Sequence, residues 1–205
     1  MRLLVIGAGG HAKVVVEAAE SAGFEVAGVI GLPTDPSEVL GHAVSLSDDG
    51  IEAHGFIVAI GNNRTRAEYF GRYRERGLEP LSVIHPSAIV SPTARIGAGT
   101  LVMPGVIVNA QADVGSDAIL NTGCVVEHDV AIGDHALIGP LACLCGAAGV
   151  GPGVLLGAGT TVAPGTRVGE WSTCGAGAAV VSDLPAHALC VGVPARVSRM
   201  LGGAE

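Results

Sequence analysis

The sequence predicts a chain in two parts: a small parallel α/β unit over residues 1–82 and a parallel β-helix over residues 83–205. Three observations carry this reading. Aliphatic residues recur every six positions from Ile84 through Val90, Ile96 and Val102 to Val180; of these seventeen positions sixteen are aliphatic and one is Cys174, with no slip in register. The fifth position of each six is small or β-branched nearly throughout, as at Ala112, Ala118, Cys124, Ala136, Ala142 and Ala148. The segment before the repeat instead alternates apolar runs with helical patterns, as parallel α/β units do.

A period of six fits neither an amphipathic helix nor a simple strand. It fits a solenoid of short parallel strands, three to a coil, in which residues eighteen apart stack. The first position points inward and the small fifth position fills the corner beside it. The second position is often Gly (Gly97, Gly115, Gly133, Gly151), suited to the bends. Seventeen sixes make between five and six coils.

In the first unit, Arg2–Ile6 reads as a buried strand, followed by Gly7-Ala8-Gly9-Gly10-His11 and a helical pattern from Ala12 to Ala22. Glu25–Ile30 is a second strand, and 31–55 is irregular. Phe56–Ile60 is a third strand, ending in Gly61-Asn62-Asn63. A charged helix follows from Thr65 to Arg76, and Pro80–Ile84 leads into the first coil. This is a small Rossmann-like parallel sheet. Gly7-x-Gly9-x-x-Ala12 matches a loose dinucleotide fingerprint, but the unit is too short for two mononucleotide halves. The second strand also ends at Ile30-Gly31, without the acidic residue a ribose calls for. A glycine turn at a helix N-terminus still offers free N–H groups to a phosphate. Gly9, Gly10 and His11, with Gly61 and Asn62 at a second strand end, are therefore candidate ligands for a phosphate or a nucleotide-sugar.

Composition removes other classes. The net charge is −8, with one Lys and 3% aromatics, a poor basis for binding nucleic acid. Residues 136–166 carry no charge, yet keep the six-residue register through several Gly and three Pro, which a membrane helix has no reason to do. Five Cys without a CxxC pair, and an N-terminus that goes straight into a strand, predict a cytoplasmic protein with buried, reduced thiols.

Five motifs recur as an ordered set: GAGGHAKVV, AIGNN, IHPSA, VVEHD and GVPAR. Together with the repeat they resemble the hexapeptide-repeat sugar acyltransferases, close to the nucleotide-linked 4-amino-sugar N-acetyltransferases and the sialic-acid O-acetyltransferase-like group. The resemblance implies a left-handed β-helix, a homotrimer, a nucleotide-sugar held by the N-terminal unit, and acetyl-CoA in a groove between neighbouring subunits. It implies acetyl transfer to the 4-amino group of a nucleotide-linked amino-deoxy sugar; an O-acetyltransferase acting on a sugar hydroxyl uses the same parts. No metal is required.

Residue by residue, the resemblance places the catalytic base at His128 and its supporting acid at Asp129. His128 is a third-position, corner residue whose stacked neighbours Ala110 and Gly146 are small, which leaves room for substrate beside the imidazole. Histidine titrates in the range such a base needs, and a carboxylate beside it orients the ring. Asn121 bonds either the sugar or the turn backbone. Gly146, Ala158 and Ala176 match acetyl-CoA contacts, although the repeat alone also demands small residues there. Arg196 and Arg199 meet CoA phosphates or form a solvated tail. Two departures stand out. The family's second His, nine residues after the base, is Leu137 here, so that contact is missing or is supplied by His135 from another direction. The acidic pair expected after the second strand is replaced by Gly31-Leu32-Pro33, with Asp35 further on. A solenoid zinc hydratase needs three His, and the middle coils offer only His128 and His135.

Overall fold

The computed structural model describes residues 1–202; positions 203–205, the end of the predicted C-terminal tail, lie outside the described residues. The first unit is a five-stranded sheet in the order β3-β4-β2-β1-β5. Strands β1 (Arg2–Ile6), β2 (Glu25–Ile30), β4 (His42–Ser45) and β5 (Gly55–Val58) run parallel, and β3 (Glu38–Val39) closes an antiparallel hairpin with β4. That hairpin lies within the stretch read as irregular; its strands are too short to show a period. Helices α1 (Gly10–Ser21) and α2 (Asn63–Glu75) both begin two residues before the apolar pattern does, because their first two residues (Gly10 and His11, Asn63 and Arg64) are not apolar.

The sheet is covered on both faces. Alternation along β1 sends Leu3 and Val5 into the core with Ala12, Val15 and Val16 of α1, and Leu4 and Ile6 into a second core with Phe70 and Tyr73 of α2. The core on the α1 side continues without a break into the solenoid, through Val83, Leu101 and Val102.

From Val83–Ile84 to Ala179–Val180 the chain forms seventeen two-residue strands, β6–β22, on three faces of a left-handed prism. Pairing is parallel and eighteen residues apart, as in Val108↔Val126 and Val126↔Leu144. First-position residues from Val102 to Val180 stack inward and are buried. The first coil departs: Ile84 is 39% exposed and Val90 and Ile96 are half-buried, because no coil lies beneath to cover them. Strands β23 (Ala188–Val191) and β24 (Arg196–Met200) extend one face with an antiparallel edge.

Each prism edge is a column of bends. At their left-handed positions stand Asp117 (φ 53°), Asp129 (φ 60°), His135 (φ 60°) and Trp171 (φ 53°), as well as glycines. One edge carries residues 99, 117, 135, 153 and 171, and α2 lies along it. Phe70 sits 2.6 Å from where a Cβ on Gly99 would stand, so only Gly fits there. Arg66 pairs with Asp117, Asn63 donates to the carbonyls of Gly153 and Val154, and Arg64 stacks over Trp171 at 4.7 Å.

Candidate active site

A cavity of about 550 Å³ opens at the carboxyl edge of the first sheet. Gly9, Gly10, His11 and Gly61 line it, as the sequence reading expects. Gly7, at φ +112°, has to be glycine, since a Cβ would come within 2.9 Å of Ala59 O. At Gly9, Gly10 and Gly61 an added Cβ would meet nothing within 4 Å, so the backbone there is open to a ligand. Gly9 caps α1 without a side-chain bond, and the first turn holds no acid, which leaves its N–H groups for an anion. His11 is held neutral: burial, and then the charge of Arg66, lower its pKa to about 4. Its Nε2 is buried without a partner.

Asn62 does not line this cavity. Its side chain accepts from the Thr65 N–H at 3.1 Å and caps α2, so the expected ligand residue is a helix cap. Asp35, by contrast, returns to the strand end. A turn from Leu32 brings its Oδ2 to 2.8 Å from the Leu32 N–H, and it lines the cavity. The acid that appears displaced in the sequence is therefore present in space, and one of the two grounds for setting aside a ribose contact falls away. Thr65, Tyr69 and Arg72 also line the cavity, Arg72 lying 4.9 Å over the Tyr69 ring. The sequence reading missed them. Their spacing of four and three residues, beside the buried Arg66, Phe70 and Tyr73, marks a second face of α2.

On the solenoid, His128 and Asp129 form a pair, with Nδ1···Oδ2 2.8 Å and side chains 62% and 52% exposed. With the Nδ1 proton directed at Asp129, Nε2 carries the lone pair. The ring lies over Gly146, where a Cβ would stand 2.6 Å from Cε1 and 2.7 Å from Nε2. The space reserved for substrate in the sequence reading is thus filled by the imidazole itself. A glycine one coil on lets the ring lie flat against the bend.

Gly146 shares His128's edge, because the Ala147 N–H donates to His128 O and the Gly165 N–H to Gly146 O. Ala158 and Ala176 stack on a different edge, where the Gly177 N–H donates to Ala158 O, so a single chain does not align the three. Asn121 bonds the turn backbone, accepting from the Thr122 N–H at 2.8 Å. His135 stands on a different edge from His128. It lies on the α2 edge, its Nδ1 2.8 Å from Asp117 Oδ2 and its ring edge-on to Phe70. Arg196 and Arg199 belong to β24. The thiols differ from expectation: Cys124, Cys174 and Cys190 are buried, but Cys143 and Cys145 are half-buried. Burial pushes Cys124 and Cys174 up to about 12. Among the described residues no group of three or more His, Cys, Asp or Glu is placed to hold a metal, and no helix is long and apolar enough to cross a membrane.

Known proteins share this arrangement. The PglD N-terminal domain model matches residues 2–73. A histidine-to-asparagine mutant of perosamine N-acetyltransferase from Caulobacter crescentus, solved with CoA and GDP-perosamine, is 39% identical over 97% of both chains with a TM-score of 0.91. The chain belongs to this family of hexapeptide-repeat nucleotide-sugar N-acetyltransferases. The acetyltransferase domain of PglB from Neisseria gonorrhoeae, solved with acetyl coenzyme A, is 35% identical over 96% of this chain and 98% of that one, with a TM-score of 0.86. UDP-N-acetylbacillosamine N-acetyltransferase from Bacillus subtilis is 44% identical over 48 residues, a match spanning 23% of this chain and 22% of that protein.

Proposed function

We propose that the protein transfers acetyl from acetyl-CoA to the 4-amino group of a nucleotide-linked amino-deoxy sugar, with His128 as general base. The observation that carries this is the His128–Asp129 pair, braced flat on Gly146 with its Nε2 uncommitted. In this reading the sugar nitrogen attacks the thioester carbon while His128 Nε2 takes its proton. A backbone N–H stabilises the developing oxyanion. The C–S bond then breaks, and His128 returns the proton to the departing thiolate. No enzyme thiol takes part.

The cavity of the first unit would hold the nucleotide diphosphate, its phosphates at the α1 N-terminus and Arg72, and its base near Asp35. A carboxylate suits the paired N–H donors of guanine, which makes GDP-linked sugars the first to test. Two features support a trimer with shared sites. No solenoid residue lines the cavity, and Ala158 and Ala176 lie on another edge than His128. One groove between copies, with acetyl-CoA in it, would bring these edges together. A protein of this kind would work in the cytoplasm, where acetyl-CoA and nucleotide sugars are made.

The test is CoA-thiol release from acetyl-CoA with a panel of GDP-, UDP- and dTDP-linked 4-amino-4,6-dideoxy sugars. His128→Ala should lower turnover about 10²–10⁴-fold with the acceptor that works. Undiminished turnover in the variant would remove His128 from the mechanism. Release only with a hydroxyl sugar would make the enzyme an O-acetyltransferase.

A further inference from the structure

Arg66 is the largest fully buried side chain among the described residues, 1% exposed, and it lies in neither substrate site. It stands where the two halves of the chain meet. Its Nε donates to Asp117 O (3.0 Å) and lies 3.3 Å from Asp117 Oδ2. Nη1 donates to Ile60 O (3.2 Å) and Asn63 Oδ1 (2.9 Å), and Nη2 donates to His135 O (2.5 Å). His135 Nδ1 closes the cluster on Asp117 Oδ2 at 2.8 Å.

Adhesion does not account for this group. Burying an arginine and a carboxylate costs several kcal/mol of hydration per ion, and well-packed apolar residues often hold a seam as well or better. What a guanidinium supplies and a leucine does not is direction. Its donors lie in one plane and here engage carbonyls from three separate segments: the end of β5, the bend at Asp117 and the bend at His135. The first of these, Ile60, is a wall of the cavity, and so is His11, which feels the Arg66 charge from behind.

We infer that Arg66, braced by Asp117 and His135, is a positioning residue for the acceptor: it locks the Ile60–Gly61 wall of the cavity against the solenoid. This rests on the reading of that cavity as the nucleotide-sugar site. The wall that meets the nucleotide is then referenced to the same rigid prism that carries His128, so the amino sugar is presented at a set distance from the base. The charged group facing His11 across the seam is Arg66 from α2, with Asp117 and His135 behind it.

The experiment measures binding of GDP, UDP and dTDP to the full chain by calorimetry, alongside KM for the acceptor and for acetyl-CoA. The variants are Arg66→Lys, which keeps the charge and loses the planar fork, and Arg66→Met/Asp117→Leu, which removes both buried charges. The nucleotide that binds the unmodified chain should bind the double variant about 10-fold or more weakly. Acceptor KM should rise in parallel while KM for acetyl-CoA stays put, and Arg66→Lys should fall between. A purely structural role would lower the active fraction and leave both KM values alone. Unmodified nucleotide affinity and acceptor KM in the folded double variant would overturn the inference. Should that variant not fold, the same result in Arg66→Lys overturns it. If the unmodified chain binds none of the three nucleotides, the reading of the cavity fails, and the inference with it.

Discussion

Gly146 is what lets the His128 ring lie against the bend. A methyl group there would stand 2.6 Å from Cε1 and 2.7 Å from Nε2 of His128, closer than any real contact, and the ring would swing off the bend. Gly146 is not among the positive-φ residues, so alanine suits its backbone. Gly146→Ala should therefore fold normally and lose about 10²-fold in kcat, the usual cost of a base displaced by about 1 Å. Circular dichroism with steady-state kinetics checks both parts; unchanged kcat would mean that the ring needs no such support. Cys124 and Cys174 call for no role, since burial keeps them in their protonated form at neutral pH.

Helix α2 serves two sites with two stripes. Arg66, Phe70 and Tyr73 are buried, while Thr65, Tyr69 and Arg72 line the cavity. Its start is set by Asn62, whose side chain takes the Thr65 N–H at 3.1 Å. Asn62→Ala should cost about 1 kcal/mol, the typical loss of such a cap, and lower Tm by roughly 2–4 °C for a chain of this size. Nucleotide affinity should not change, because Asn62 does not face the cavity. A large drop in affinity with Tm intact would return Asn62 to the ligand set. Below α2, the column of residues 99, 117, 135, 153 and 171 is met coil by coil, so the helix reads the solenoid's pitch as a ruler.

The apolar core runs from the α1 side of the sheet into the first coils, which predicts unfolding in one step rather than domain by domain. His11 gives that step a pH dependence. Folded, its pKa lies at about 4; unfolded, it returns to 6.5, so the unfolded chain binds more protons between these values. Stability is then complete above about pH 6.5 and is lost as pH falls toward 4, by up to roughly 3 kcal/mol. His11→Gln should remove this part of the acid loss. Urea midpoints at about pH 7 and 4.5 for the two chains decide it; equal losses in both would rule out His11 as the source.

Much of this was legible in one dimension because it repeats or is local. The inward stack from Val102 to Val180 follows from the period of six, and β1 and β2 have the bounds their apolar runs suggest. Gly9, Gly10, His11 and Gly61 reach the cavity because a strand-turn-helix places its own turn, and the His128–Asp129 pair is adjacent in the chain. Other features depend on distance through space. Arg66 reads as one more charge on a polar helix until Asp117, 51 residues on, is stacked against it. His135 looks like a free corner histidine until α2 covers it. Asp35 seems misplaced until a turn folds it back to β2. Sequence by itself determined the strands, the coil and the adjacency of His128 and Asp129, because periodicity and adjacency are properties of the chain. Only tertiary structure decided which polar groups are buried, since burial and the hydrogen bonds that compensate it come from residues the chain brings together across many coils.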